Sequence, residues 1–205
     1  MHSQNDEEQI IERYFRRDNQ VQLSCLDIGA NDGITLSNTY ACVERGWSGV
    51  MVEPSKTAFE KLSTLYKDCT NVYCVNVAIS DQSGEAIMWE SGTHLNRGDT
   101  ALLSSLKQHE TIQWKNETFE PVTVQTQTFQ NMIDVLPIKT FDLISIDVEG
   151  LDYEVLSQIN LNNIVCRMLI VENNNKDEKK FVDYCKSFRM QLLTKNFQNL
   201  IFVRK

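Results

Sequence analysis

The residues with the most chemistry to offer stand early in the chain, in the stretch 23–33, LSCLDIGANDG. An apolar run carries an acid, Asp27, near its end and passes into a turn framed by Gly29 and Gly33. Twenty residues past Gly33 a second apolar run, Gly49-Val50-Met51-Val52, ends in Glu53. An acid closing the strand after a glycine turn is how nucleotide-binding α/β sheets hold ribose hydroxyls. Gly29 and Gly33 are four residues apart, so the G-x-G-x-x-G dinucleotide fingerprint is absent. Asp32, inside the turn, is an awkward neighbour for a pyrophosphate. The pattern points to a ligand with a ribose and no phosphate, of which S-adenosylmethionine is the common one. The plainer alternative, an ordinary turn and an unrelated surface Glu, does not explain the matched spacing.

Each residue of this set has a physical role on that reading. Gly29 and Gly33, with Ala30, Asn31 and Asp32 between them, let the backbone approach the methionine half of the cofactor without a Cβ in the way. Asp27 orients that turn or accepts hydrogen bonds from the cofactor ammonium. Glu53 takes the two ribose hydroxyls as a carboxylate facing adjacent donors, with Pro54 and Ser55 beside it. Ser37, Asn38 and Thr39 begin the helix after the turn and either bind the cofactor carboxylate or cap that helix. Residues 76–79 end a third strand, and Ala78 is small enough for adenine to stack there.

A second group of acids follows. Asp147 and Glu149 close one buried strand, Glu172 closes the next, and Asp152 stands nearby. Carboxylates gathered at a sheet edge are costly unless they hold a metal, a cation or polar ligand groups. One arrangement is a Mg²⁺-type site of Asp147, Glu149 and Glu172 that acidifies an acceptor hydroxyl. Another is metal-free, with Asp147 helping to hold the cofactor and Glu149 or Asp152 binding the acceptor or serving as base. In the third, Asp152 merely favours a helix start. The metal-free arrangement is preferred, since strand-end spacing cannot establish a coordination sphere. His94 and His109 offer bases from a loop, although exposed loop histidines are usually without such a role.

These residues need strands and helices to position them, and the chain alternates the two. Apolar spacing predicts an N-terminal helix over 7–17, then a strand at 22–28. A helix over 36–45 ends at Gly46, and a strand at 49–53 is stopped by Pro54. Ser55 caps a helix running through 66. A third strand spans 72–79, a turn 81–84 and a short strand 86–89. Residues 91–118 read as a long loop and 122–128 as an edge strand. FDLISIDV, 141–148, reads as a buried central strand. Helix 151–159, strand 167–171, helix 177–188 and a closing pair at 190–194 and 200–203 complete the order. The pair implies a hairpin and an antiparallel last strand. Alternation of this kind predicts one doubly wound, mostly parallel sheet with its ligand at the carboxyl ends of the strands. The expected division is a helical extension, 1–20, and one domain, 21–205.

Composition narrows the partners. The net charge of −8 argues against a nucleic-acid backbone or an anionic membrane surface. No apolar run approaches the roughly 20 residues of a membrane span. The N-terminal sequence lacks the apolar stretch of a signal peptide. Cys25, Cys42, Cys69, Cys74, Cys166 and Cys185 form no C-x-x-C pair. Buried free thiols are the expectation, which points to a cytoplasmic location.

Five stretches carry a family resemblance: DIGANDGITLSNTY at 27–40, RGWSGVMVEPS at 45–55, VNVAISDQSG at 75–84, FDLISIDVEGLDYEVL at 141–156 and LIVENN at 169–174. Together they resemble FkbM-type methyltransferases over about residues 21–204. The resemblance implies the seven-stranded class I, Rossmann-like methyltransferase fold with a reversed final strand. It also implies S-adenosylmethionine as donor and a hydroxyl acceptor, on a sugar, glycoconjugate or secondary metabolite. Residues 1–20 and 91–118 match nothing in it, and acceptor choice could lie there. The sequence is therefore expected to encode an O-methyltransferase acting on a small-molecule or glycan acceptor, with no nucleic-acid partner and its oligomeric state open. Two rivals remain at this stage. A non-catalytic binding module would not need Asp27, Gly29, Gly33, Glu53 and Asp147 together, and a nicotinamide dehydrogenase would need the missing glycines.

Overall fold

Alternation of apolar side chains along the strands splits the core into two layers, one on each face of a central sheet. The computed structural model describes residues 2–16, 22–95, 99–173 and 177–204. In chain order the elements are α1 (Glu7–Phe15), β1 (Ser24–Ile28), α2 (Tyr40–Glu44), β2 (Ser48–Val52) and α3 (Lys56–Leu65). Next come β3 (Val72–Val75), β4 (Ala78–Ile79), β5 (Gly84–Ser91), a 3₁₀ turn (Gln108–Gln113), β6 (Phe119–Gln127) and α4 (Phe129–Val135). The chain closes with β7 (Leu143–Ile146), α5 (Asp152–Leu156), β8 (Met168–Glu172), α6 (Glu178–Ser187), β9 (Met190–Lys195) and β10 (Asn199–Arg204).

Seven strands form one sheet in the order β3-β2-β1-β7-β8-β10-β9. β10 runs antiparallel to both β8 and β9, and the other pairings are parallel. Leu26, Ile28, Ile144 and Ile146 point to the layer that holds Phe129 and Met132 of α4, Val155 of α5 and Phe181 of α6. Cys25, Met51, Leu143 and Ile170 point to the other, with Ile11 and Phe15 of α1, Val43 of α2 and Leu62 of α3. Burial on both faces explains why β1, β2, β7 and β8 read as apolar runs. Each fully buried Leu, Ile or Phe contributes about 1.5–3 kcal/mol. α1 is thus part of the core of the domain. The expected helix end at 17 and the boundary at 20 lie outside the described residues.

The structure departs from the sequence reading at four places. The third strand, expected over 72–79, divides: β3 pairs with β2, while β4 crosses to a second sheet of order β4-β6-β5. β6 is the centre of that sheet and not an edge, because β5 covers it along Phe119 to Thr126. The helix expected from residue 36 begins at Tyr40, since residues 34–39 are spent on turns, with Leu36 at φ 56. α4 was not expected, although Thr128 accepts from the Asn131 N–H as its cap and Phe129, Met132 and Ile133 recur at helical spacing. Among the described residues no helix is long and apolar enough to cross a membrane.

Candidate active site

β1 lies between β2 and β7, so the chain connections leave it in opposite directions and a crevice opens at the strands' carboxyl ends. A cleft of about 1300 Å³, its open mouth included, occupies that place. Its floor is the ends of β1, β2 and β7. Its roof is the small sheet and the described parts of the segment 91–118, which contribute Met88, Leu103, Leu106 and Trp114. Ser105 fastens it by pairing with Trp89 in a bridge and donating its hydroxyl to the Glu149 carbonyl at 2.7 Å.

Glu53 follows β2, is 6% exposed and lines the cleft. Its carboxylate accepts the Asn31 N–H at 2.9 Å and the Ser55 N–H at 2.7 Å. Those bonds hold both oxygens in place and leave each a lone pair for a ligand hydroxyl. Burial pushes the Glu53 carboxyl up to about 7, against the pull of the two N–H donors. Ser55 is buried and does not line the cleft: its hydroxyl accepts the Ala58 N–H as the cap of α3 and bonds Glu90.

Asp27 is 4% exposed, lines the cleft and accepts from the Thr39 hydroxyl at 2.6 Å. Burial raises its carboxyl to about 6, while hydrogen bonds from Thr39 and Ser145 oppose the rise. Asn38 donates to the Ser145 hydroxyl at 3.2 Å. Asp27 therefore ties the turn 37–39 to β7. Ser37 and Asn38 reach the cleft; Thr39 serves behind it.

Both glycines meet a packing demand, and Gly29 also lines the cleft. A Cβ on Gly29 would stand 1.7 Å from the Asp147 carbonyl oxygen, so the close approach there is to backbone. A Cβ on Gly33 would meet Leu62 and Leu65 at 2.8 and 2.9 Å, and Gly33 does not line the cleft. Both have left-handed φ, 92° and 81°. Asp32 also works within the turn, accepting from the Ile34 and Thr35 N–H groups. Ala30, Asn31, Pro54 and Ala78 line the cleft as Gly29 does.

At the acid edge Asp147, Glu149 and Glu172 line the cleft. The carboxylates that come within 4.8 Å of one another are Asp147, Asp152 and Glu172, without Glu149. Burial, then Asp152 and Asp27, push the Asp147 carboxyl up, and a hydrogen bond with Glu172 pulls it back. Asp152 is buried, does not line the main cleft, and accepts the Val148 and Gly150 N–H groups at 2.9 and 3.1 Å. It braces the turn on which Glu149 adopts φ 50. Of the loop histidines, His94 lines the cleft, with Nδ1 2.8 Å from Glu117 and its ring edge on Trp114. His109 is 70% exposed and does not line it. Gln4, Gln198 and Ser145 also line it, and nothing in their sequence surroundings signals this.

Asp27, Glu53, Asp147, Glu149 and Glu172 thus share one cleft, and no Lys or Arg is among its described lining residues. Such a set favours a cationic ligand with hydroxyls. A seven-stranded sheet of this order, with its reversed strand in the sixth place and a cleft at the β1/β7 switch, is the class I methyltransferase fold. The chain matches the Methyltransferase FkbM domain over residues 27–198 and belongs to that family. No curated protein matches it. Solved structures show the fold at low identity. The METTL16 MTase domain shares 8% identity, with 97% of this chain and 66% of that chain covered and a TM-score of 0.54. For yhhF from Escherichia coli the identity is 10%, the coverage 99% and 87% and the TM-score 0.52. For monomeric WbdD the values are 12%, 98% and 41%, and 0.50.

Proposed function

We propose that this methyltransferase-family chain moves a methyl group from S-adenosylmethionine to a hydroxyl of a sugar, glycoconjugate or secondary metabolite. The observation that carries the reading is Glu53, a buried carboxylate held by two backbone donors and facing the cleft. Such a group fits a ribose diol. Pro54, Val77, Ala78 and Met88 offer an apolar slot beside it for adenine. The five acids of the cleft fit a ligand carrying a sulfonium and an ammonium, whose charges offset the cost of burying carboxylates.

The cofactor supplies a methyl group already activated on sulfur. The protein must then hold an acceptor oxygen in line at about 3 Å and receive its proton. Asp147 and Glu149 stand where an acceptor hydroxyl would be oriented and deprotonated. Asp152 acts through the turn it braces, as a positioning residue. A divalent metal is not required by this scheme. A cleft without described cations suits a neutral acceptor better than a polyanion. Six free cysteines, four of them buried, suit a reducing compartment such as the cytoplasm.

Calorimetry with S-adenosylmethionine and with NAD tests the ligand, and methyl-labelled cofactor offered with sugars, glycolipids and hydroxylated metabolites tests the reaction. Binding of S-adenosylmethionine alone and label on an acceptor oxygen are expected. Binding of NAD instead, or binding without transfer to any acceptor, would overturn the catalytic reading.

A further inference from the structure

The turn 148–151 presents Glu149 to the cleft in a costly backbone conformation. Glu149 has φ 50 and Gly150 φ 100. A non-glycine residue stays in the left-handed region only where its surroundings over-determine it. The direction in which the side chain leaves the backbone follows from that φ, so a relaxed turn would carry the carboxylate elsewhere.

Two sets of contacts hold the turn. Asp152 accepts its N–H groups, those of Val148 and Gly150. The roof of the cleft takes its carbonyls. The Ser105 hydroxyl donates to the Glu149 carbonyl at 2.7 Å and accepts the Lys107 N–H at 3.1 Å. Lys107 Nζ donates to the Gly150 carbonyl at 2.9 Å and to Glu154 Oε1 at 2.7 Å. The Glu110 side chain lies on Gly150, where a Cβ would meet its Cγ and Cδ at 2.7 Å. Ser105 itself is 2% exposed and fixed to β5, exchanging backbone hydrogen bonds of 2.8 and 3.1 Å with Trp89. Of the two bonds made by the Lys107 ammonium, the one to Glu154 contributes less, since that side chain is 49% exposed. The bond to the Gly150 carbonyl acts on the turn directly.

We infer that Ser105 and Lys107 are positioning residues for methyl transfer, clasping the roof to the 148–151 turn and so fixing the Glu149 carboxylate in the cleft. The inference rests on the role proposed above for Glu149, the orienting of an acceptor hydroxyl. Closure of the roof and placement of the acid are then one event, and a chain with the clasp undone keeps its acid but not the acid's position.

The variants Lys107→Met, Lys107→Arg, Glu154→Gln, Glu149→Gln and Lys107→Met/Glu149→Gln test this, assayed with methyl-labelled S-adenosylmethionine and the sugars, glycolipids and hydroxylated metabolites named above. Lys107→Met keeps the apolar stem and should slow transfer at saturating cofactor roughly tenfold or more, the scale of a lost hydrogen bond from a charged group. Lys107→Arg should recover most of the rate, and Glu154→Gln, which spares the carbonyl bond, should stay near wild type. The losses should not multiply in the double variant, because both act through one carboxylate. Hydrogen exchange of the ligand-free chain gives a second readout: the Val148 and Gly150 amides should exchange faster in Lys107→Met, together with those of 103–107. An unchanged rate in Lys107→Met, losses that multiply in the double variant, or faster exchange confined to the roof overturns the inference. Wild type that labels no acceptor, or Glu149→Gln at the wild-type rate, overturns the catalytic reading, and this inference with it.

Discussion

Gly29 and the carbonyl of Asp147 occupy space that no side chain can share. A Cβ at Gly29 would stand 1.7 Å from that oxygen and 2.8 Å from the carbonyl carbon, and the backbone there has φ 92. β1 and β7 converge at this point, since the Asp147 N–H donates to the Ile28 carbonyl at 2.9 Å. The glycine is what allows the floor of the cleft to close.

Gly29→Ala should therefore destabilise the chain without any ligand present. Left-handed strain alone costs about 1–2 kcal/mol, and separating the two strands adds to it. Denaturant unfolding of the ligand-free variant measures the effect. A variant as stable as wild type that loses only cofactor affinity would show that the close approach is to the ligand.

Glu53 has two duties that substitutions can separate. Glu53→Ala removes an acceptor from the Asn31 and Ser55 N–H groups, each unsatisfied donor costing about 1–3 kcal/mol, and should weaken S-adenosylmethionine by about tenfold or more. Glu53→Gln keeps the shape and one acceptor oxygen, so it should lose affinity with a smaller drop in thermal stability. Unchanged affinity in folded Glu53→Gln and Glu53→Ala would remove Glu53 from the site.

Stability and binding should move in opposite directions with pH. Burial holds Asp27 at about 6 and Glu53 at about 7, above their ordinary 3.8 and 4.5. The folded chain keeps these protons more tightly than the unfolded one. Their contribution to stability is complete below the ordinary values and is lost as pH rises through the folded ones. Glu7 works the other way: hydrogen bonds from Asn199 and Asn196 outweigh burial and leave it below 4.5, so its contribution is lost in acid. The ligand-free chain should be most stable in mildly acid solution. A cationic, hydroxylated ligand prefers the ionised acids, so its affinity should rise from about pH 6 to about pH 8 with proton release. Melting curves and calorimetry in two buffers check both signs, and affinity that falls across that range would contradict the acid-lined site.

Chelation should leave the chain unchanged. Asp147, Asp152 and Glu172 are close enough to share an ion, but Asp152 already accepts two backbone N–H groups, and Asp147 shares a hydrogen bond with Glu172. EDTA should shift neither the melting temperature nor methyl transfer, whereas Asp147→Asn and Glu149→Gln should each slow transfer. Activity that stops with EDTA and returns with Mg²⁺ would establish the metal arrangement instead.

The strand order's ingredients, Asp27, the glycine turn, Glu53, the buried run 141–148 and the closing hairpin, were all legible in the sequence. They depend on local periodicity and on strand ends, which a chain displays along its length. Three-dimensional contact alone decided the rest. Gly29 and Gly33 show in sequence only that a Cβ is unwelcome; Asp147, Leu62 and Leu65 show what would object to it. Asp152 and Glu149 are three residues apart, yet Asp152 spends its carboxylate on backbone N–H groups while Glu149 lines the cleft. Residues 72–79 look like one strand, because pairing partners, not periodicity, decide where β3 hands over to β4. Gln4 and Gln198 line the same cleft from 194 positions apart, and Asn196 and Asn199, by donating to the Glu7 carboxylate, tie the two ends of the chain in a way no local pattern encodes.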